Sequence, residues 1–346
     1  MQAVSVPRAT ARTSDLTGRV LCHELRSSDG RIALAKGRVL DAADAEHALG
    51  LAWSELHLMV LADGDVHEDD AGDRIARLIA ADGVTVRPAS GGHWPVVADQ
   101  RGVLAVDVRR LDQVNALDGP CVYTLYDGQV VEEGEVVARA KILPFAITRD
   151  VMEDVQRIVD DGHGVILVRA FRPQRVAAIV HESMGPRGIS RFRDAVGEKL
   201  AWFGAALGAV KVSTPGLDAI AESFAAAARD GVDIMLVAGT KAMDVLDPTF
   251  AALDRIGARM VAHGVPAHPG SLLWLADWNG VTIVGMPTCG LFAQATVFDL
   301  VILRLMTGER LGRPELSRLG HGGYLTRAMA FRLPAYRAAG ERGVVE

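Results

Sequence analysis

Between Arg175 and Met306 the chain alternates β-type runs with helical runs, and this alternation restricts the fold more than any other feature. RVAAIV reads as a strand, and Ile189–Ala206 as a helix with Gly208 as its C-cap. VKV follows as a strand, and Thr214-Pro215 is expected to open the next helix. DIMLVAG reads as a fully buried strand, and Asp247-Pro248 opens a helix that stops at Gly257. ARMVAHG, SLLWLAD and VTIVGM are short strands before an apolar helix over Leu291–Met306. Repeated strand–helix units imply an α/β fold, a doubly wound and mostly parallel sheet with helices on both faces. Ligands of such sheets sit beyond the carboxyl ends of the strands. The informative residues are therefore those that follow each strand: HESMGPRG, AGTKAMDVLD and MPTCG, with VPAHPGS as a fourth segment.

The preceding half has a different texture. Residues 1–15 are polar and aperiodic and read as a flexible arm. Residues 16–150 carry short strand-like runs (VLCHEL, VTVRP, VLAVDVRRL, CVYTLYDG) with helices at Ala42–Leu51 and Asp69–Ala81, a mixed α+β region of one or two small domains. Thr148 caps a further amphipathic helix through Val159, and Phe171-Arg172-Pro173 forms a hinge. The α/β domain is expected over 173–311 and a C-terminal tail over 312–346.

Composition excludes several classes. A net charge of −6 argues against a broad grip on nucleic acid or anionic lipid. No apolar run approaches the ~20 residues of a membrane span. The N-terminus lacks the apolar stretch of a signal peptide, so a cytoplasmic location is expected. Cys22, Cys121 and Cys289 form no metal-ligand spacing and read as free thiols.

The run from Gly231 to Leu311 resembles the molybdopterin-binding domain shared by molybdopterin adenylyltransferases and molybdopterin molybdotransferases. Gly239, Asp244, Asp247, Pro269, Gly270 and Pro287 stand at positions matching the family's glycine loop, downstream acid, Pro-Gly segment and final turn. HEDDAGDRIARLI, VNALDG and VVARAKILP in the first half resemble a subgroup that lacks the standard molybdotransferase front half. There are departures. The family's Thr-Gly-x-Glu loop is His181-Glu182-Ser183-Met184, its Thr-Gly-Gly is Ala238-Gly239-Thr240, and the glycine after Pro287 is Thr288. Each lost glycine adds a Cβ where backbone could approach a ligand.

The resemblance implies binding of molybdopterin or a derivative during molybdenum-cofactor biosynthesis. The cofactor-binding set is Glu182, Ser183, Gly239, Thr240, Lys241, Pro269, Gly270, Pro287, Thr288, Cys289 and Gly290. It also implies Mg²⁺ held by Asp244 and Asp247 if the protein is molybdotransferase-like. A non-catalytic carrier that hands the cofactor to a molybdoenzyme client is the alternative. Several residues have a second reading. Asp247 precedes Pro248 and serves equally as a helix cap, and Lys241 as a solvated loop cation. Thr288–Gly290 suit an anion site at a helix N-terminus or an ordinary cap, and Cys289 a small buried hydrophobe. His181 and Glu182 point to opposite sides of an extended segment, so one of them is expected to act. His67-Glu68-Asp69-Asp70 suits either a hard cation or the dipole at a helix start. The last helix is apolar on more faces than one sheet covers, which suggests a homo-oligomer.

Overall fold

The structure is a computed structural model describing residues 1–160, 162, 164–287 and 296–336. The chain divides into two compact units, the first built almost wholly from residues up to Val168 and the second from Arg169 onward.

In unit 1 the expected arm is in fact a strand. Gln2–Pro7 pairs antiparallel with Glu55–Val60, from Gln2 opposite Val60 to Pro7 opposite Glu55. Only Val6 of this strand is buried, so the segment lacks the strong apolar alternation that would have marked it in the sequence. The helix Ala42–Gly50 is closed by a reciprocal cap between Asp41 and Asp44. Glu68–Ile79 and Arg149–Val159 pack their apolar stripes, Ile75 and Ile79 with Met152 and Val155, into one core. The run VLAVDVRRL is not one strand. Strand Gly102–Val106 gives way to helix Val108–Asn115, because the Asp107 carboxylate accepts from Arg110 N and starts a turn.

Unit 2 holds a six-stranded sheet. Its strands, numbered within this unit, are β1 (Val176–His181), β2 (Leu207–Ser213), β3 (Ile234–Ala238), β4 (Arg259–His263), β5 (Trp274–Trp278) and β6 (Val281–Met286). Their spatial order is β2-β1-β3-β6-β5-β4. The sheet is mixed: β2, β1, β3 and β6 run parallel, whereas β5 and β4 join antiparallel. The cause of the reversal is local. Asn279 and Gly280, both with positive φ, turn β5 directly into β6 as a two-residue hairpin.

The helices are α1 (Gly185–Trp202), α2 (Leu217–Arg229), α3 (Pro248–Arg255) and α4 (Val297–Leu305). Alternate residues of β1 and β3 feed two cores. Val176, Ala178, Val180, Leu236 and Ala238 pack with Phe192 of α1 and Phe298 of α4. Ile179, Met235 and Val237 pack with Phe224 of α2 and Leu253 of α3.

Three helix starts differ from expectation. α1 begins at Gly185 rather than Ile189 and is followed by Gly204 at φ +73, while Gly208 lies inside β2. α2 begins after Gly216, not at Thr214-Pro215. α4 begins after Thr296, whose backbone is extended and whose reciprocal cap with Asp299 marks the first turn. Residues 312–336 are no separate tail, since Leu316 and Leu319 belong to the α1/α4 core. That core also removes the ground for expecting an oligomer. Val297 to Leu303 and Leu305 are all buried within this chain, so the helix's apolar circumference is already covered. Among the described residues no helix is long and apolar enough to cross a membrane.

Candidate functional site

Parallel register builds the site. Val180 of β1 pairs with Ala238 of β3, and Ala238 pairs with Met286 of β6. His181, Gly239 and Pro287 therefore leave the sheet side by side at its carboxyl edge. At Gly239 the backbone must be glycine: φ is +97, and a Cβ would lie 2.8 Å from His181 Cβ.

The turn that follows is held by Asp247. Its Oδ2 accepts from Lys241 N at 2.9 Å and its Oδ1 from Thr249 N at 2.9 Å. Burial alone would push the Asp247 carboxyl up, but hydrogen bonds from Thr249 and Lys241 and the neighbouring His181 hold it below the usual range. Asp244 caps the same turn, its Oδ1 accepting from Leu246 N at 3.0 Å. Both acids expected to hold Mg²⁺ thus serve amides of their own loop, and each Asp247 oxygen already faces an N–H. Asp247 is thus committed to shaping the turn, Asp244 keeps its second oxygen toward solvent, and the arrangement gives a two-carboxylate magnesium site no support. Among the described residues no group of three or more His, Cys, Asp and Glu side chains is placed to hold a metal.

Lys241 is exposed, as are Met243, Asp244, Val245 and Leu246, so this turn presents one cation and one carboxylate among apolar side chains. Thr240 Oγ1 lies 3.4 Å from Thr249 Oγ1, and Thr249 Oγ1 lies 3.2 Å from His181 Nε2. His181 is buried, and that burial lowers its pKa against the opposing pull of Asp247. His181 reaches the loop through Thr249, and the side chain of the adjacent candidate, Glu182, lies outside what is described. Ser183 is exposed in the short 3-10 turn Glu182–Met184.

Pro269 and Gly270 come to the same edge. His268-Pro269 is cis, Pro269 O accepts from Val297 N at 2.9 Å, and a Cβ on Gly270 would meet Val297 Cγ1 at 2.8 Å and Pro287 Cγ at 3.5 Å. Pro269, Gly270, Pro287 and the start of α4 are thereby brought together. Thr288, Cys289 and Gly290 lie outside the described residues.

The anion site expected at Thr288–Gly290 lies outside the described residues, and α4 itself, which starts after Thr296, holds an acid at its N-terminus. Asp299 is fully buried and already occupies that position. It accepts from Thr296 N (2.8 Å), Thr296 Oγ1 (3.3 Å), Lys199 Nζ (2.5 Å) and Tyr336 Oη (2.9 Å). Burial of its hydroxyl and the Asp299 charge push the Tyr336 phenol well up. Elsewhere, His67 is no metal ligand of a cation cluster. Its Nδ1 accepts from Asp69 N and its Nε2 meets Gly37 O, so the ring is a helix cap. Sequence reasoning missed the C-terminal contribution. His268 N donates to Gly323 O, Leu325 N donates to His268 O, and the His268 and Tyr324 rings stack 6.4 Å apart. The only signal was a glycine pair, Gly322-Gly323.

Neither a family model nor a curated protein matches the chain. Three similar solved structures are a molybdopterin biosynthesis MoeA protein from Pyrococcus horikosii, a CinA protein of unknown function from Thermoplasma acidophilum and a molybdopterin biosynthesis Mog protein from Mycobacterium ulcerans. The first is 13% identical at TM-score 0.29, covering 70% of this chain and 79% of that one. The second is 13% identical at TM-score 0.30, covering 39% and 97%. The third is 15% identical at TM-score 0.27, covering 38% and 92%. Superpositions this loose set neither the fold nor the function of this chain, whose architecture rests on its own strands.

Proposed function

We propose that unit 2 binds molybdopterin or a derivative of it in molybdenum-cofactor biosynthesis, at the carboxyl edge of β1, β3 and β6. The observation that carries this reading is the shared register of those three strands, which sets His181, Gly239 and Pro287 side by side. Ser183, Gly239, Thr240, Lys241, Pro269, Gly270 and Pro287 would form the described part of the contact surface, with Lys241 as the point charge for a phosphate. Glu182 and Thr288–Gly290 belong to the same proposal through the sequence resemblance alone.

The commitment of Asp247 to two amides favours a carrier over Mg²⁺-dependent turnover. A carboxylate that closes its own turn gives stability and position, and it offers little to a reacting phosphate. In the carrier reading the client is a molybdoenzyme, and Met184 stands where the family has its acid. Molybdopterin titrated into the purified protein, and followed by fluorescence after oxidation, should show saturable binding. Single-turnover incubation with adenylylated molybdopterin should return it intact. Release of the nucleotide would assign the enzyme reading, and absence of any saturable binding would remove both.

A further inference from the structure

Among the described residues of unit 2, two cationic side chains, Lys199 and Arg332, are buried, and they are treated differently. Lys199 has Asp299. Arg332 is only 7% exposed, and it has no acidic partner among the described residues. Its Nη1 donates to Gly322 O at 2.8 Å, whereas its Nε is buried with no acceptor. A guanidinium cannot shed its proton to escape this situation. A charge removed from water without a counter-charge is strongly disfavoured, and buried N–H groups are nearly always matched.

The position is held from both sides, so the burial is not that of a loose end. Upstream, a Cβ on Gly323 would lie 2.3 Å from Leu319 O and 2.7 Å from Pro266 O, and the segment is hydrogen-bonded to His268 on either side. Downstream, Tyr336 is bonded to Asp299. Between these anchors the 3-10 turn Arg327–Arg332 delivers the guanidinium against Gly322. The Gly322 turn to which it is pinned continues into Gly323–Leu325, which is bonded to His268, the residue before cis-Pro269 and Gly270.

We propose that Arg332 is the anchor of an oxyanion subsite in unit 2, taking a phosphate group at the Gly322 turn beside the His268–Gly270 segment. Planar, many-donor guanidinium is the side chain best matched to such an anion, and the interaction strengthens as water is excluded. The phosphate has two sources, free inorganic phosphate or the phosphate of a bound pterin. The subsite stands whether or not unit 2 binds a pterin.

The test uses the full chain in chloride buffer at constant ionic strength, with inorganic phosphate as the probe and thermal unfolding as the readout. Phosphate at a hundredfold excess over its Kd should raise the Tm of the wild type by about 5 °C. Arg332→Met should abolish that rise, and without phosphate it should melt no lower than wild type, because it removes an unmatched buried charge. Arg332→Lys should keep part of the response. A wild type that does not respond to phosphate sinks the proposal, whatever the variants do. So does a phosphate response that Arg332→Met retains in full. Competition then separates the sources. Displacement of bound molybdopterin by phosphate assigns the subsite to the pterin's phosphate, and a phosphate response without displacement assigns it to the free ion.

Discussion

Two helices of unit 2 begin near the same sheet edge, and both begin with a buried aspartate. At α4, Asp299 is met by an ammonium, a phenol, a hydroxyl and an amide, all drawn from α1, the C-terminal segment and its own first turn. At α3, Asp247 is met by two amides, one of them from the loop it closes. The first is a neutralised knot inside the core. The second is a local clasp on a turn whose outer side chains, Lys241, Met243, Val245 and Leu246, are exposed. The difference teaches where a ligand can be received. A helix start whose donors are served from within has no capacity left for an anion, whereas a clasped turn fixes backbone while leaving its outer side chains available.

The contrast can be broken most severely by truncation. A chain ending at residue 311 loses Tyr336 from the knot and Leu316 and Leu319 from the core, and it should fail to fold unit 2. Circular dichroism of the isolated segments 169–336 and 173–311 checks this, and a folded 173–311 would show the knot dispensable. Next, Lys199→Met leaves Asp299 charged and buried and should cost about 3–5 kcal/mol in urea denaturation. Converting both partners to apolar residues should recover much of that loss, because the unpaired charge goes with them.

Asp247→Ala should cost about 1–2 kcal/mol, the usual scale of a lost cap. Its pH dependence carries the sign. The Asp247 carboxyl is held below its usual value of 3.8, so its contribution is complete above that pH and is lost as pH falls through the lower, folded value. His181 adds a second acid-side loss. Its folded pKa lies below 6.5, so the unfolded chain takes up the proton first and stability declines below about that pH. Stability against pH for His181→Asn should lack this upper step. The smallest effect on the fold belongs to Lys241→Ala, which should stay within about 0.5 kcal/mol of wild type. The same change should weaken molybdopterin about tenfold, a loss within the range of a charge-assisted hydrogen bond. Equal affinity in isothermal titration would show that the exposed turn receives nothing.

What could be read from the sequence follows from range of interaction. The strand runs of unit 2 and the Asp247-Pro248 cap were legible because periodicity and capping are local. The strand Gln2–Pro7 was not, since its partner lies far along the chain and only one of its side chains, Val6, is buried. The late start of α4 was concealed by apolar residues on both sides of Thr296, where only the Thr296–Asp299 spacing marks the cap. Asp247 kept two readings until its acceptor pairs were known, and the His181 contact depends on a threonine 68 positions away. Arg332 carried no signal at all, because its burial is created by contacts of the Gly322 turn with a segment far upstream.

The Asn279-Gly280 hairpin has a consequence for the order of assembly. It joins β5 to β6 through two residues, so the chain entropy lost in closing it is small. Every parallel pair in the same sheet requires a crossover helix to be spanned first. The β5–β6 ribbon is therefore the earliest edge on which β3 can add, and β1 and β2 must follow in turn. Weakening this turn, for instance by Gly280→Val, should slow refolding by more than it speeds unfolding, which is the kinetic mark of a nucleus.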